Sequence, residues 1–405
     1  MDAAGTLLAE AASSYPGPFD NPWGWRQGLI ALVGGLNSEL RAQVGAIALD
    51  GTSGTLLLCR PDGTPAPGEL GQALPYALAC PEQAAAAAAL VADCPGSPAA
   101  SASGSLARAL RLLEAAARAG LGSGHWLLRH QADWLMGWLL GDWRWGEEGN
   151  NLRLGWQLEQ QRWAGTIEQQ SWAAALPQIT ASGSLLGPLQ PAAAEALGLP
   201  PHCRVVAGTT DANAGVLAAD PSPGDGITVL GTTLVLKQFC PRPLQGPGIS
   251  CHRVAGRWLV GGASNAGAGV LRLFFSDGQL EELSRQIDPR QPSGLSLRPL
   301  PAAGERFPVD DPELEPVLTP RPVSDSLFLQ GLLEGLAAIE AAGWQRLRAL
   351  GAPPVRRVIS LGGGARNPQW RAIRQRLLGV PVLNRPQLSA ARGMARLAAT
   401  ALPPP

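Results

Sequence analysis

Five short loops rich in glycine, threonine and serine each follow an apolar run, and together they constrain this chain more than any other feature. They are Asp50-Gly51-Thr52-Ser53-Gly54-Thr55, Ala207-Gly208-Thr209-Thr210-Asp211-Ala212-Asn213, Leu230-Gly231-Thr232-Thr233, Gly261-Gly262-Ala263-Ser264-Asn265 and Leu361-Gly362-Gly363-Gly364-Ala365. Glycine lets a backbone approach a ligand closely, and its N–H groups form anion nests. Thr and Ser hydroxyls add donors for phosphate or sugar oxygens. One such loop alone reads better as a turn than as a site. Five of them at strand ends in one chain are much harder to explain as turns.

Two of the loops carry more. Asp211 stands at the end of a buried strand, Arg204 to Gly208, and at the start of a helix over 212–219. A helix N-terminus favours the carboxylate form, which can accept a hydroxyl proton. An ordinary N-cap aspartate reads equally well at that position. In the last loop a strand over 355–361 enters the glycines, Asn367 caps a helix, and Pro368 takes its first position. Trp370, Ile373 and Leu377 then repeat at helical spacing and Gly379 ends the helix, so Trp370 is expected in the core. A glycine loop between strand and helix is a place for a nucleotide to lie.

The rest of the chain reads as a turn at Asp2 to Gly5, a strand over 6–11, a helix over 23–43 and a strand over 46–50. Further helices are expected over 82–92, 105–118, 131–140, 168–175 and 327–349, with strands over 227–230, 234–237 and 257–260. Strand and helix alternate in both halves. That argues an α/β protein of two domains, 1–218 and 219–405.

Composition excludes several classes. Basic and acidic residues balance at 32 each, which argues against a nucleic-acid or anionic-membrane partner. Lys237 is the one lysine, and its surroundings match neither GxxxxGK[ST] nor the protein-kinase lysine motif. The cysteines make no CxxC pair, so a reduced, cytoplasmic setting is expected. His125, His130, His202 and His252 form no HxxxH or HExxH pair; no metal ligand is expected, and all four read as surface or satisfied core residues. No leader pattern opens the chain and no apolar run is long enough to span a membrane.

The loops resemble those of the FGGY family of carbohydrate kinases, within the actin, hexokinase and Hsp70 ATPase superfamily. The resemblance rests on Gly208-Thr209-Thr210-Asp211, Leu230-Gly231-Thr232-Thr233, Gly262-Ala263-Ser264-Asn265, Phe328 to Leu336 and Gly362-Gly363-Gly364-Ala365-Arg366-Asn367. Within the family the chain is most similar to a cyanobacterial and plant branch, xylulose-kinase-like and proposed to act on D-ribulose. That likeness is carried by Asp50 to Thr55, Gln131-Ala132-Asp133-Trp134-Leu135 and Gly304-Glu305-Arg306-Phe307-Pro308. The resemblance implies two actin-like, ribonuclease H-like ATPase domains, each a mixed sheet flanked by helices, with a cleft between them. It implies an ATP-dependent kinase for a ketopentose such as D-ribulose or D-xylulose, a small-molecule sugar substrate, and a monomer or homodimer.

It also implies roles. Asp211 would be the general base, and Ser53 and Thr52 would touch the sugar beside it. Gly231, Thr232 and Thr233 would contact ATP phosphates, with Gly262, Ala263 and Asn265 on the phosphate side. Gly362, Gly363, Gly364 and Asn367 would line the adenosine pocket, and Mg²⁺ would bridge phosphate oxygens. One departure stands against these matches. The family opens with a strand and a phosphate hairpin of Asp-x-Gly-Thr-Ser type, and this chain starts like the segment after it. A misassigned start is the first expectation. A remnant that binds sugar or nucleotide without transferring phosphate is the alternative.

Overall fold

A computed structural model describes residues 1–122 and 126–402; His125 lies outside the described residues. Two compact units make up the chain. The first comprises Met1–Ala218, Arg253–Gly256 and the segment from Ala390 on; the second comprises Ala219–His252 and Arg257–Ser389. Each is a mixture of sheet and helix.

In the first unit the strand Ala46–Gly51 runs parallel to Arg204–Thr210, and Leu185–Pro188 pairs antiparallel on that strand's other side. Residues 205–210 are buried without interruption, as a strand covered on both faces requires. Successive side chains alternate. Val205 and Ala207 pack with Met136 and Leu139 of the helix Gln131–Leu140. Val206 packs with Ala214 of the helix Asp211–Ala218 and with Met394 and Leu397 of Ala390–Thr400. The last two helices cross closely, since a Cβ on Gly393 would lie 1.9 Å from the Ala214 carbonyl oxygen.

The second unit holds a six-stranded mixed sheet. Its order is Ile249–Val254, Arg257–Ala263, Leu234–Cys240, Asp225–Leu230, Arg357–Leu361 and Val382–Asn384. The helix Asp325–Ala349 covers it, opened by Ser324, whose Oγ accepts from the Leu327 N–H at 3.2 Å. Phe328, Leu329, Leu332, Leu333 and Leu336 form its fully buried stripe. Below that stripe Glu340 meets Arg374 of the helix Pro368–Leu378 at 2.6 Å, with both side chains buried. Thr228 Oγ1 donates to Glu340 at 2.6 Å and Arg374 donates to Ser360 Oγ at 2.6 Å. The pair therefore ties two helices to the two strands that end in the second unit's outer glycine loops.

Three local expectations fail. The helix over 23–43 is two helices, Pro22–Gly34 and Ser38–Ala42, because Asn37 caps the second by accepting from the Glu39 N–H at 2.7 Å. The helix over 168–175 is only Gly165–Glu168 and a 3₁₀ turn Ala173–Ala175; no residue over 168–174 is buried, so there is no apolar face to hold a helix. The turn Asp2 to Gly5 is present, with Gly5 at φ +84°, but residues 6–11 form no strand. They are exposed and have no neighbouring strand to complete their backbone hydrogen bonds. Among the described residues no helix is long and apolar enough to cross a membrane.

Candidate functional site

The parallel pairing in the first unit sets two loops side by side. Asp50 is the partner of Thr209 and Gly51 the partner of Thr210, so the loop after Gly51 leaves the sheet next to Asp211. The fit is close at Gly208, where a Cβ would stand 1.6 Å from the Leu49 carbonyl oxygen. Asp211 is exposed although the six residues before it are buried, and its Oδ1 accepts from the Ala212 N–H at 2.7 Å. Its carboxylate thus stands at the mouth of a buried strand end and at a helix N-terminus.

Thr52 and Ser53 differ in what they leave available. The Thr52 N–H and Oγ1 both donate to Gln131 Oε1 at 3.1 Å, and Oγ1 also lies 2.6 Å from Thr55 Oγ1. Arg108 donates to the Gly54 carbonyl at 3.1 Å and closes the turn. Ser53 is half-buried and, among the described residues, its hydroxyl has no hydrogen-bond partner. Thr52 therefore shapes the loop, and Ser53 presents a free donor.

Sequence reasoning passed over three neighbours. Gln131 holds the loop with its oxygen and donates from Nε2 to the Tyr15 hydroxyl at 3.3 Å. Burial first, then the Asp211 charge, push the Asp50 carboxyl up to about 6. Burial raises the Tyr15 hydroxyl as well, and the charges of Asp50 and Asp211 add to that. Asp50 and Gln131 lie in stretches that the resemblance rests on, whereas Tyr15 carries no sequence signal.

In the second unit three loops emerge at one edge of the sheet. Val229 pairs with Leu361 in parallel, so Gly231-Thr232-Thr233 and Gly362-Gly363-Gly364 leave adjacent strands at the same end. Val235 pairs with Ala263 in the antiparallel ladder, which brings the end of Arg257–Ala263 to that edge too. Strand ends of this kind are where open α/β sheets bind ligands.

The glycines there do different jobs. A Cβ on Gly362 would meet the Leu230 carbonyl oxygen at 2.8 Å at φ +83°, and one on Gly364 would meet Trp370 at 2.5 Å; both are required by packing. Gly363 is exposed with nothing within 4 Å of its Cβ position, so its backbone is open to a ligand. A Cβ on Gly262 would meet the Phe307 ring at 2.3 Å, so that glycine is accounted for inside the protein. Gly231 and Thr232 present their carbonyls to the N–H groups of Ala268 and Gly269, while the Thr232 side chain is exposed and Thr233 half-buried.

Asn265 and Asn367 are anchors. The Asn265 N–H donates to Glu305 Oε1 at 2.8 Å and its Nδ2 to the Gly304 carbonyl at 2.9 Å. Arg306 Nε donates to the Ala263 carbonyl at 2.7 Å, so the stretch Gly304 to Phe307 holds the loop 261–265. Asn367 Oδ1 accepts from the Trp370 N–H at 2.9 Å and its Nδ2 donates to Ser284 Oγ at 2.8 Å. Trp370 is a core residue at 2 % exposure, as its periodicity predicted.

No three His, Cys, Asp or Glu side chains among the described residues converge as a metal site. His202 is exposed. His130 is buried with its Nδ1 3.5 Å from Asp133 Oδ2, and His252 is half-buried; neither ring nitrogen of His130 makes a hydrogen bond, nor does His252 Nδ1. Burial first, with the Lys237 charge adding to it, pushes His252 down to about 3 and keeps it neutral.

Residues 226–402 match the family model described as the C-terminal domain of the FGGY family of carbohydrate kinases. The crystal structure of a xyloylose kinase from Brucella ovis superposes with a TM-score of 0.78 at 20% identity, covering 100% of this chain and 88% of that one. A ligand-bound xylulose kinase from Lactobacillus acidophilus gives 0.77 at 15% identity, over 99% and 86%. Plasmodium falciparum glycerol kinase with ADP gives 0.77 at 15% identity, over 98% and 84%. Residues 226–402 are thus similar to the C-terminal domain of the FGGY family of carbohydrate kinases, and the fold of the chain is one that it shares with solved sugar and glycerol kinases.

Proposed function

We propose that the chain is an ATP-dependent carbohydrate kinase whose acceptor is a ketopentose such as D-ribulose or D-xylulose. The carrying observation is Asp211, exposed at a buried strand end beside the loop that presents the free Ser53 hydroxyl. In this reading residues 1–218 hold the sugar and 219–405 the nucleotide. Ser53 donates to a sugar oxygen. Asp211 takes the proton of the acceptor hydroxyl as that oxygen bonds to the γ-phosphorus and ADP leaves.

Gly363 and Thr232 fit a nucleotide, because their exposed backbone and hydroxyl offer donors that no protein group occupies at Gly363 and that face solvent at Thr232. Gly231 and Thr233 extend that phosphate contact, while Gly262, Ala263, Asn265, Gly362, Gly364 and Asn367 shape the loops around it. Mg²⁺ would supply charge neutralisation on the phosphates. It usually keeps several waters and one or two carboxylates instead of a protein cage.

The experiment is sugar-dependent ADP release across a panel of pentuloses, with ligand-induced thermal shifts measured in parallel. A ligand at 100 times its dissociation constant adds about 2.7 kcal/mol of stability. Asp211→Asn is expected to lower kcat by about 10²–10⁴ while pentulose stabilisation persists. Stabilisation by sugar and nucleotide with no ADP release from the unmodified chain would favour a binding protein over a kinase.

A further inference from the structure

Asp50 is not explained by the fold. It is half-buried at the end of its strand, and among the described residues no Arg, Lys or His pairs with it and no other side chain donates to it. Placing a carboxylate there, next to a second acid, is costly in the absence of a partner. The groups that titrate against it are Asp211, at the start of its helix, and Tyr15, from the N-terminal segment. The loop that follows it is held rigid through Thr52 and Gln131, so the position is a built one.

We propose that Asp50 is a specificity residue for the acceptor, receiving a second hydroxyl of a polyhydroxylated substrate while Asp211 receives the one that is phosphorylated. The proposal rests on the kinase reading above. Strand register puts Asp50 opposite Thr209, two residues before Asp211. Neighbouring strands lie about 4.8 Å apart. Carboxylates on their adjacent ends leave room for two neighbouring hydroxyls, each making an O–H···O bond of about 2.7 Å. An acceptor with a single hydroxyl would leave the second acid without a partner, which is how a polar site rejects an analogue that lacks a group.

The experiment compares the unmodified chain with Asp50→Ala and Asp50→Asn. Pentulose affinity is read by calorimetry without nucleotide, and kcat and KM by ADP release from pH 5 to 9. Asp50→Ala is expected to weaken pentulose binding about ten- to hundredfold, mainly in Kd and KM and less in kcat. Asp50→Asn keeps an acceptor oxygen and is expected to recover most of that loss. It also removes a limb of the kcat/KM profile near pH 6, which loss of folding would not do.

Pentulose binding by Asp50→Ala equal to that of the unmodified chain overturns the proposal and leaves the role of Asp211 standing. Equal losses in the Ala and Asn variants, both folded, also overturn it. An unmodified chain that neither binds a pentulose nor releases ADP overturns the kinase reading itself, and the proposal with it.

Discussion

Each unit buries a glutamate behind the strand ends that carry its loops, and the two are partnered in opposite ways. In the second unit Glu340 meets Arg374 through both oxygens, at 2.6 and 2.7 Å, and accepts from Thr228 as well. In the first unit Glu147 is equally buried but has no base. Its Oε2 accepts from the Asn150 N–H at 2.8 Å, and its Oε1 has no partner. Asp133 beside it is held by the Glu147 N–H at 3.0 Å and Asn151 Nδ2 at 3.1 Å. The next residue, Glu148, does find a base, Arg253 at 2.6 Å.

Burial therefore pushes the Glu147 carboxyl well above its ordinary range, which favours its protonated form. Glu147 and Asn150 line a cavity of about 10 Å³ under Gly208 and Thr209, enough for one water. The comparison teaches that one unit supports its loops with a buried ion pair. The other packs a glutamate with a raised carboxyl beneath Gly208 and Thr209, on the strand that leads to Asp211.

The largest effect should come from breaking the ion pair. Arg374→Met strands Glu340 and is expected to cost about 3–5 kcal/mol in urea unfolding. The double variant Arg374→Met/Glu340→Leu should recover most of it, because the penalty belongs to the unpaired charge. No recovery would mean that the hydrogen bonds to Ser360 and Thr228 carry the stability instead.

Glu147→Gln is expected to behave in the opposite way. The unfolded chain ionises this glutamate near its ordinary value of 4.5, while the folded chain keeps the proton to higher pH. Stability of the unmodified protein therefore falls as pH rises above that value, by at most about 1.4 kcal/mol per pH unit from this one group. The Gln variant should be close to neutral at pH 4 and progressively more stable than the parent towards pH 8. A difference that does not grow with pH would show that Glu147 is ionised in the folded protein.

The smallest effect tests an anchor on the nucleotide side. Asn367→Ala removes a cap bond and the tie to Ser284, and should cost about 1 kcal/mol in thermal unfolding. A loss of nucleotide-induced stabilisation far beyond that would make Asn367 a ligand contact as well.

What the sequence by itself determined is local. The cap at Asn367, the proline after it, the periodic core face through Trp370 and Ile373, and the long helix from Asp325 all follow from neighbours within a few residues. The break at Gly34 to Asn37 is also local, but the apolar pattern runs on across it and masks it. The glycine loops were legible as loops, but not which of their glycines face solvent. Only packing separates Gly363, open, from Gly262, filled by Phe307.

The tertiary structure alone decided what stands next to what. Asp50 and Asp211 meet because two distant strands pair in parallel. The helix Ala390–Thr400 joins the first unit because Gly393 lets it approach Ala214. Glu147 lacks a cationic partner and Glu340 has one, because an arginine from another helix reaches only the second. Caps and periodicity are written over three or four residues; charge compensation depends on long-range contacts that no short window of sequence contains.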